Sequence, residues 1–185
     1  MDKRRDALAG AAKLALEIRD IARRTGDGAV CTCGGGVCRP GIVTSVVETA
    51  EQLLDQRHLD AGKLASMLQQ AKDASARFAE EENIEVSWER IWNIEPILFH
   101  PDLIELADQA VRETCGVSHR LPSGPLHDAA EVCRAGVPTV MLFVQSLHGI
   151  SHNKIEDTRE EHLEMSVVAL DKLAEKTMRW LRARA

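Results

Sequence analysis

No apolar run in this 185-residue sequence approaches the length of about 20 residues that a helix needs to cross a bilayer. The N-terminus, Met1-Asp-Lys-Arg-Arg-Asp, leads into an Ala/Leu-rich helix with neither a signal-peptide apolar region nor a small-residue cleavage site. A cytoplasmic location and no membrane partner are therefore expected. A basic stripe is missing as well. Lys and Arg total 23 against 29 Asp and Glu, a formal net charge of -6, and the basic residues alternate with acidic ones along helices. That balance argues against phosphate-backbone contacts, and no nucleic-acid partner is expected. An even set of cysteines is also lacking. Five cysteines in a cytoplasmic chain do not make a disulfide framework and are expected to be reduced. Cys31, Cys33 and Cys38 follow a C-x-C-x4-C spacing without a fourth nearby ligand, and Cys31 and Cys33 would share one strand face. Packing is the reading they support over a zinc site. Cys115 and Cys133 stand alone, and nothing local marks either as a nucleophile of depressed pKa.

What is present sorts into two units, 1–95 and 96–185. The first opens with a helix over 4–24, with Leu8, Ala11, Ala12, Ala15, Ile18 and Ala22 on one stripe, closed by Thr25-Gly26-Asp27-Gly28 as a helix-ending glycine would close it. Strands at 29–33 and 36–38, separated by glycines, are followed by the Pro40-Gly41 turn signal and a β-rich stretch, 42–54. Asp60 reads as the N-cap of a helix over 61–82 with Leu64, Met67, Leu68, Ala71 and Phe78 inward. The stretch 84–92 alternates with period two, which predicts a half-exposed antiparallel strand. The order α-β-β-α-β is a ferredoxin-like split βαβ unit lacking its opening strand, which suggests that Met1 is not the natural start. The second unit follows an apolar connector at 96–101. It comprises a helix over 101–114, a short strand at 118–121, a helix over 128–135, the apolar run 137–144 and a terminal helix over about 160–182. The run 137–144 has the pattern of a central strand covered on both faces. Two or three short strands and three helices cannot cover both faces of a parallel sheet, so the rest of that sheet is expected to be missing or supplied by another chain.

Two polar loops bracket the run 137–144: Leu121-Pro-Ser-Gly-Pro-Leu-His127-Asp128-Ala-Ala and Gly149-Ile-Ser-His152-Asn153. In an α/β sheet, ligands bind beyond the C-terminal ends of the strands, where the second loop begins. His152 offers a neutral imidazole to a metal, or is an exposed loop histidine. Arg57 offers a guanidinium fork to a carboxylate, or a strand-end ion pair with Asp55 or Asp60. His58 could donate to the same carboxylate or orient Asp60, and the structural role is the reading preferred. His127 begins a helix whose N-terminus Asp128 would complement, supporting a site or packing. Gly124 permits close backbone approach or simply turns the chain. Glu156, Asp157, Glu160 and Glu161 read as a solvated cluster at a helix start, and His100, His119, His148 and His162 carry no assigned chemistry.

Four ordered segments resemble one family. Met1-Asp-Lys-Arg-Arg-Asp-Ala-Leu resembles the stretch after its H-A-G-x-T-P segment, and Leu54-Asp-Gln-Arg57-His58-Leu-Asp60 its D-x-R-H-x-D motif. Leu121-Pro-Ser-Gly-Pro-Leu-His127-Asp128-Ala resembles its S-G-A-G-H-D-A, and Ile150-Ser-His152-Asn153 its last metal-ligand segment. The family is that of the zinc-dependent amidohydrolases that include allantoate amidohydrolase, N-carbamoyl-L-amino-acid hydrolase and β-ureidopropionase, within the aminoacylase/carboxypeptidase-type metallopeptidases. The resemblance implies a C-terminal portion: a lid and dimerisation unit, 1–95, and the last part of an α/β catalytic domain, 96–185, working as a homodimer. It implies hydrolysis of a small carbamoyl or ureido substrate at a two-metal site, Zn or Mn/Co, which activates water and polarises the carbonyl. It also implies His152 as a metal ligand and Arg57, Thr44, Gly124 and His127 as substrate contacts. No catalytic residue falls in the segment, because the remaining metal ligands lie upstream of Met1. Asparagine is usual where Thr44 stands and glycine where Leu126 stands. The contrasting expectation is an inactive remnant or an association module pairing through a sheet edge.

Overall fold

The computed structural model describes residues 1, 3–26 and 28–184, in two compact units, Met1–Pro96 and Ile97–Ala185. In the first, helix α1 (Ala7–Thr25) starts where the Asp6 carboxylate accepts from the Ala9 backbone N–H at 3.3 Å. It ends at Gly26, φ 65°, a conformation that glycine adopts without a Cβ clash. Asp27 lies outside the described residues. The buried stripe of α1 is Gly10, Ile18 and Ile21, with Leu14 packed beside it. It is rotated from the expected one, leaving Leu8 and Ala12 exposed. The rotation follows from a close approach: a Cβ on Gly10 would stand 2.6 Å from Ile84 Cδ1, so Ile84 seats directly on the helix backbone.

Strand β1 (Val30–Arg39) pairs antiparallel with β2 (Thr49–Arg57), Val30 opposite Arg57 and Arg39 opposite Thr49. The expected strands 29–33 and 36–38 are thus one. The glycines do not break the ladder, because a register irregularity between Cys33 and Gly35 absorbs them. The β-rich stretch begins as a connection instead of a strand. It closes where the Glu48 N–H donates to the Arg39 carbonyl at 2.9 Å, and pairing starts at Thr49. Helix α2 (Ala61–Glu82) has the expected bounds: Asp60 Oδ1 accepts from the Lys63 N–H at 2.8 Å, and Asn83 ends it in the left-handed region. Ile18, Ile21, Met67 and Ala71 form the core, with Leu54, Cys31 and Trp88 packed against it.

The stretch 84–92 makes no strand among the described residues. Its inward residues are Ile84, on Gly10, and Trp88, whose indole N–H donates to Ser75 Oγ at 2.9 Å. The stretch leans on two helices with no ladder partner, and Val86, Ile91 and Trp92 stay exposed. The unit is therefore a two-stranded α/β assembly, and the ferredoxin-like arrangement is not formed among the described residues. Ile21 is fully buried. Ile21→Val is expected to cost about 0.5–1.5 kcal/mol, read as a lower urea midpoint at unchanged slope. An unchanged midpoint would remove Ile21 from the core.

In the second unit, α3 (Pro101–Cys115) is capped by His100, whose Nδ1 accepts from the Asp102 N–H at 3.2 Å, and stops at Gly116 with φ 78°. It packs on α5 (Glu160–Arg182) through Ala107, Ala110 and Leu173. Asp102 fastens their far ends, accepting from Trp180 Nε1 at 3.1 Å and from Arg184 at 2.6 Å. Helix α4 (Asp128–Arg134) is short. The expected strands at 118–121 and 137–144 lack a ladder among the described residues, because no described strand lies beside them. The run 137–144 is covered on one face, not both: Val140 and Leu142 pack on the helix core, while Val137 and Phe143 are each 51% exposed. Among the described residues, no helix is long and apolar enough to cross a membrane.

Candidate functional site

Arg57 ends β2 with its side chain half exposed, and its Nε donates to Asp55 Oδ2 at 2.6 Å. Next to it, His58 Nδ1 accepts from the Asp60 N–H at 2.8 Å, so the neutral ring carries its proton on Nε2. That Nε2 is buried with no partner among the described residues. The Asp60 carboxyl is held below the ordinary aspartate range, first by the Lys63 N–H, so it stays anionic and caps α2. Thr44 is exposed in the connection that precedes β2. β2 runs nine residues from that connection to Arg57, its last, a span of roughly 26 Å at about 3.3 Å per residue step. Thr44 and Arg57 of one chain therefore stand at opposite ends of a strand.

In the second unit, Gly124 lies exposed on the loop before α4, and a Cβ there would meet nothing within 4 Å. His127 is the N-cap residue of α4 without a side-chain capping bond, while Asp128 and Glu131 occupy the first turn, where negative charge complements the helix dipole. The loop is anchored upstream by a group that the sequence reading missed. Asp108, buried on α3, accepts from Ser118 Oγ and pairs with Arg112 at 2.7 Å and Arg120 at 3.4 Å. Its one sequence signal was the i, i+4 spacing to Arg112.

The Ser118 hydrogen bond first, then Arg112 and Arg120, lowers the Asp108 pKa. A carboxyl depressed in the folded state contributes stability that is full above its unfolded pKa and is lost as pH falls through the folded one. Asp108→Asn should therefore shallow the loss of thermal stability below the ordinary aspartate range, measured by melting at stepped pH. Parallel acid limbs for variant and parent would show that the cluster contributes nothing.

His152 follows a 3-10 turn at Leu147–Gly149 and is exposed. His148 and His152 both have φ 58°, an uncommon backbone for any residue but glycine. The His152 N–H donates to Glu156 Oε2 at 2.7 Å, and the Leu147 N–H donates to the Asp157 carbonyl at 2.8 Å. Glu156, expected as solvated charge, thus holds the loop that presents His152.

The donor set does not fit a metal by itself. A structural or catalytic zinc takes at least about three protein ligands, and no three His, Cys, Asp or Glu converge among the described residues. The cysteines, all free, do not supply the deficit. Burial pushes the Cys31 thiol up, which disfavours the thiolate that binds metal, and its sulfur accepts from Gln56 Nε2 at 3.3 Å on the core side of β1. Packing is the role the structure gives Cys31.

Residues 7–176 match the family described as peptidase family M20/M25/M40. The chain is 31% identical over 172 residues to the allantoate amidohydrolase of Escherichia coli strain K12, covering 92% of this chain and 41% of that protein. It is 31% identical over 161 residues to the N-carbamoyl-L-amino acid amidohydrolase of Geobacillus stearothermophilus, covering 87% and 39%. Among solved structures, it is similar to a hydantoinase/carbamoylase family amidase from Burkholderia multivorans, with a TM-score of 0.84, 31% identity, and 94% of this chain on 42% of that one. The chain spans about two fifths of the length of these relatives.

Proposed function

The chain belongs to peptidase family M20/M25/M40, and from that membership we propose that it is the C-terminal share of a metal-dependent amidohydrolase acting on non-peptide C–N bonds. Its substrates are N-carbamoyl amino acids or allantoate-like ureides. The observation that carries this reading is the similarity over nearly the whole chain to relatives named for those two substrates. In this reading, His152 supplies one imidazole to a zinc, manganese or cobalt centre whose other ligands lie outside the chain. Arg57 receives the substrate carboxylate, with Asp55 fixing the plane of its guanidinium. His127 and Gly124 line the approach from the loop before α4.

The geometry of β2 supports a homodimer. Thr44 and Arg57 stand too far apart on one chain to touch one small substrate, so a site using both draws them from two copies. Residues 1–96 would be the dimerising part and 97–185 the catalytic part. A second reading, an association module without activity, draws on the absence of a three-donor cluster among the described residues.

Completion decides between them. Fused behind the upstream part of an M20 relative, the chain should release ammonia from N-carbamoyl amino acids or allantoate. A folded, metal-loaded fusion that cleaves neither would leave only the association module.

A further inference from the structure

We infer that Gln56 is a positioning residue for Arg57: it ties the end of β2 to the middle of α2, so that the guanidinium stands in a fixed place before a carboxylate arrives. The inference rests on the reading above in which Arg57 receives the substrate carboxylate. β2 carries two glutamines, Gln52 and Gln56, whose even spacing puts them on one face of the strand. That face is turned to the helices. Gln52 Nε2 donates to the Ala11 carbonyl of α1 at 2.8 Å, and Gln56 Nε2 donates to the Met67 carbonyl of α2 at 3.2 Å. Leu54, between them on the same face, packs on the apolar core, and an apolar residue at 56 would serve that core as well. An amide there costs stability unless its hydrogen bonds are made; made, they add direction that apolar packing lacks.

The NH2 group of Gln56 is used twice. It also donates to Cys31 Sγ at 3.3 Å, and Cys31 is the residue opposite Gln56 in the ladder. One amide thus joins β2 to β1 and to α2 together. The Met67 carbonyl can only accept, which sets Nε2 and not Oε1 against it. Alternation along the strand then turns residues 55 and 57 to the opposite face, where Asp55 Oδ2 accepts from Arg57 Nε at 2.6 Å.

Arg57 closes the ladder opposite Val30, and the last pair of a two-stranded ladder is where fraying begins. Gln56 opposes that fraying from one residue away. Its bond to Met67 spans 11 residues and closes a circuit through Arg57, the turn that His58 Nδ1 makes with the Asp60 N–H, and the first turns of α2. Met67 is fully buried, so the circuit is anchored in the core. Asp55 sets the plane of the guanidinium, and Gln56 sets the point from which it reaches.

The test compares Gln56→Met with Gln52→Met in the full chain. Both changes remove a glutamine-to-helix hydrogen bond from the same face of β2, and only the first does so beside Arg57. In NMR spectra of the isotope-labelled chain, the Arg57 Nε–H resonance of Gln56→Met is expected to shift toward that of a guanidinium in water. Gln52→Met should leave it in place at a comparable loss of melting temperature. Should Gln56→Met not fold, Gln56→Glu, of the same shape but with an oxygen set against the Met67 carbonyl, is expected to shift the same resonance. In the protein completed with its upstream part, Gln56→Met should raise KM for carboxylate-bearing substrates roughly three- to tenfold at unchanged kcat, the size of one ordinary hydrogen bond. A substrate amidated at its carboxylate should keep its KM. A resonance that stays in place in the Gln56 variant, or shifts equally in Gln52→Met, overturns the inference. A shifted resonance with KM unchanged would leave Gln56 as the residue that places Arg57 and remove Arg57 from carboxylate recognition. A completed parent that hydrolyses neither substrate type would count against the amidohydrolase reading alone, since the resonance in the full chain still decides on Gln56.

Discussion

Purified alone, the chain is expected to show no turnover of N-carbamoyl amino acids or allantoate, and to lose added zinc on dialysis. The argument is one of donor count. Catalytic zinc is held by about three protein ligands with an open position for water, and a lone imidazole on an exposed loop cannot replace them. His152 is such an imidazole, and no three metal-binding side chains converge among the described residues. The cysteines do not rescue the site, since Cys31 is disfavoured as a thiolate by burial. Ammonia release and metal content measured on the same dialysed sample check both statements. Circular dichroism separates an empty folded chain from an unfolded one. Turnover that His152→Ala abolishes would show that one chain assembles the whole site, and would overturn the donor count.

Helices were legible in the sequence wherever a local signal sufficed. Asp60 set the start of α2, and α5 took its expected bounds, because caps and apolar periodicity act within a few residues. Strands were legible only where their partners were present. The run 137–144 and the stretch 84–92 have strand-like patterns, yet a strand is defined by its neighbour, and none of the described residues provides one. The same limit governs the site. Arg57, His127 and His152 stood out because their residue types suit carboxylates and metals, but Asp108, which anchors the segment leading to His127, and Glu156, which holds the His152 loop, act through tertiary geometry. An acidic residue beside a loop reads as solvated charge until its partner is known. The α1 stripe shows the converse error: periodicity alone put Leu8 inside, and the contact of Ile84 on Gly10 turned the helix away from it.

Arg57→Lys, tested in the protein completed with its upstream part, is expected to lower kcat/KM for carboxylate-bearing substrates roughly ten- to hundredfold through KM. Arg57 ends β2, and Asp55 accepts from its Nε at 2.6 Å, which orients a planar fork suited to two parallel hydrogen bonds with a carboxylate. Lysine keeps the charge but presents a point donor on a flexible stem. Loss of one charge-assisted hydrogen bond is worth about 1.5–3 kcal/mol, which sets the size of the effect. The exposed ion pair with Asp55 cannot supply that much by itself, because such pairs contribute about 0–1 kcal/mol. A substrate amidated at its carboxylate distinguishes the roles. It should lose little between parent and variant, since it offers no carboxylate to clamp. Equal losses for the acid and the amide would make Arg57 a strand-end ion pair only, and the carboxylate would then have to be received elsewhere.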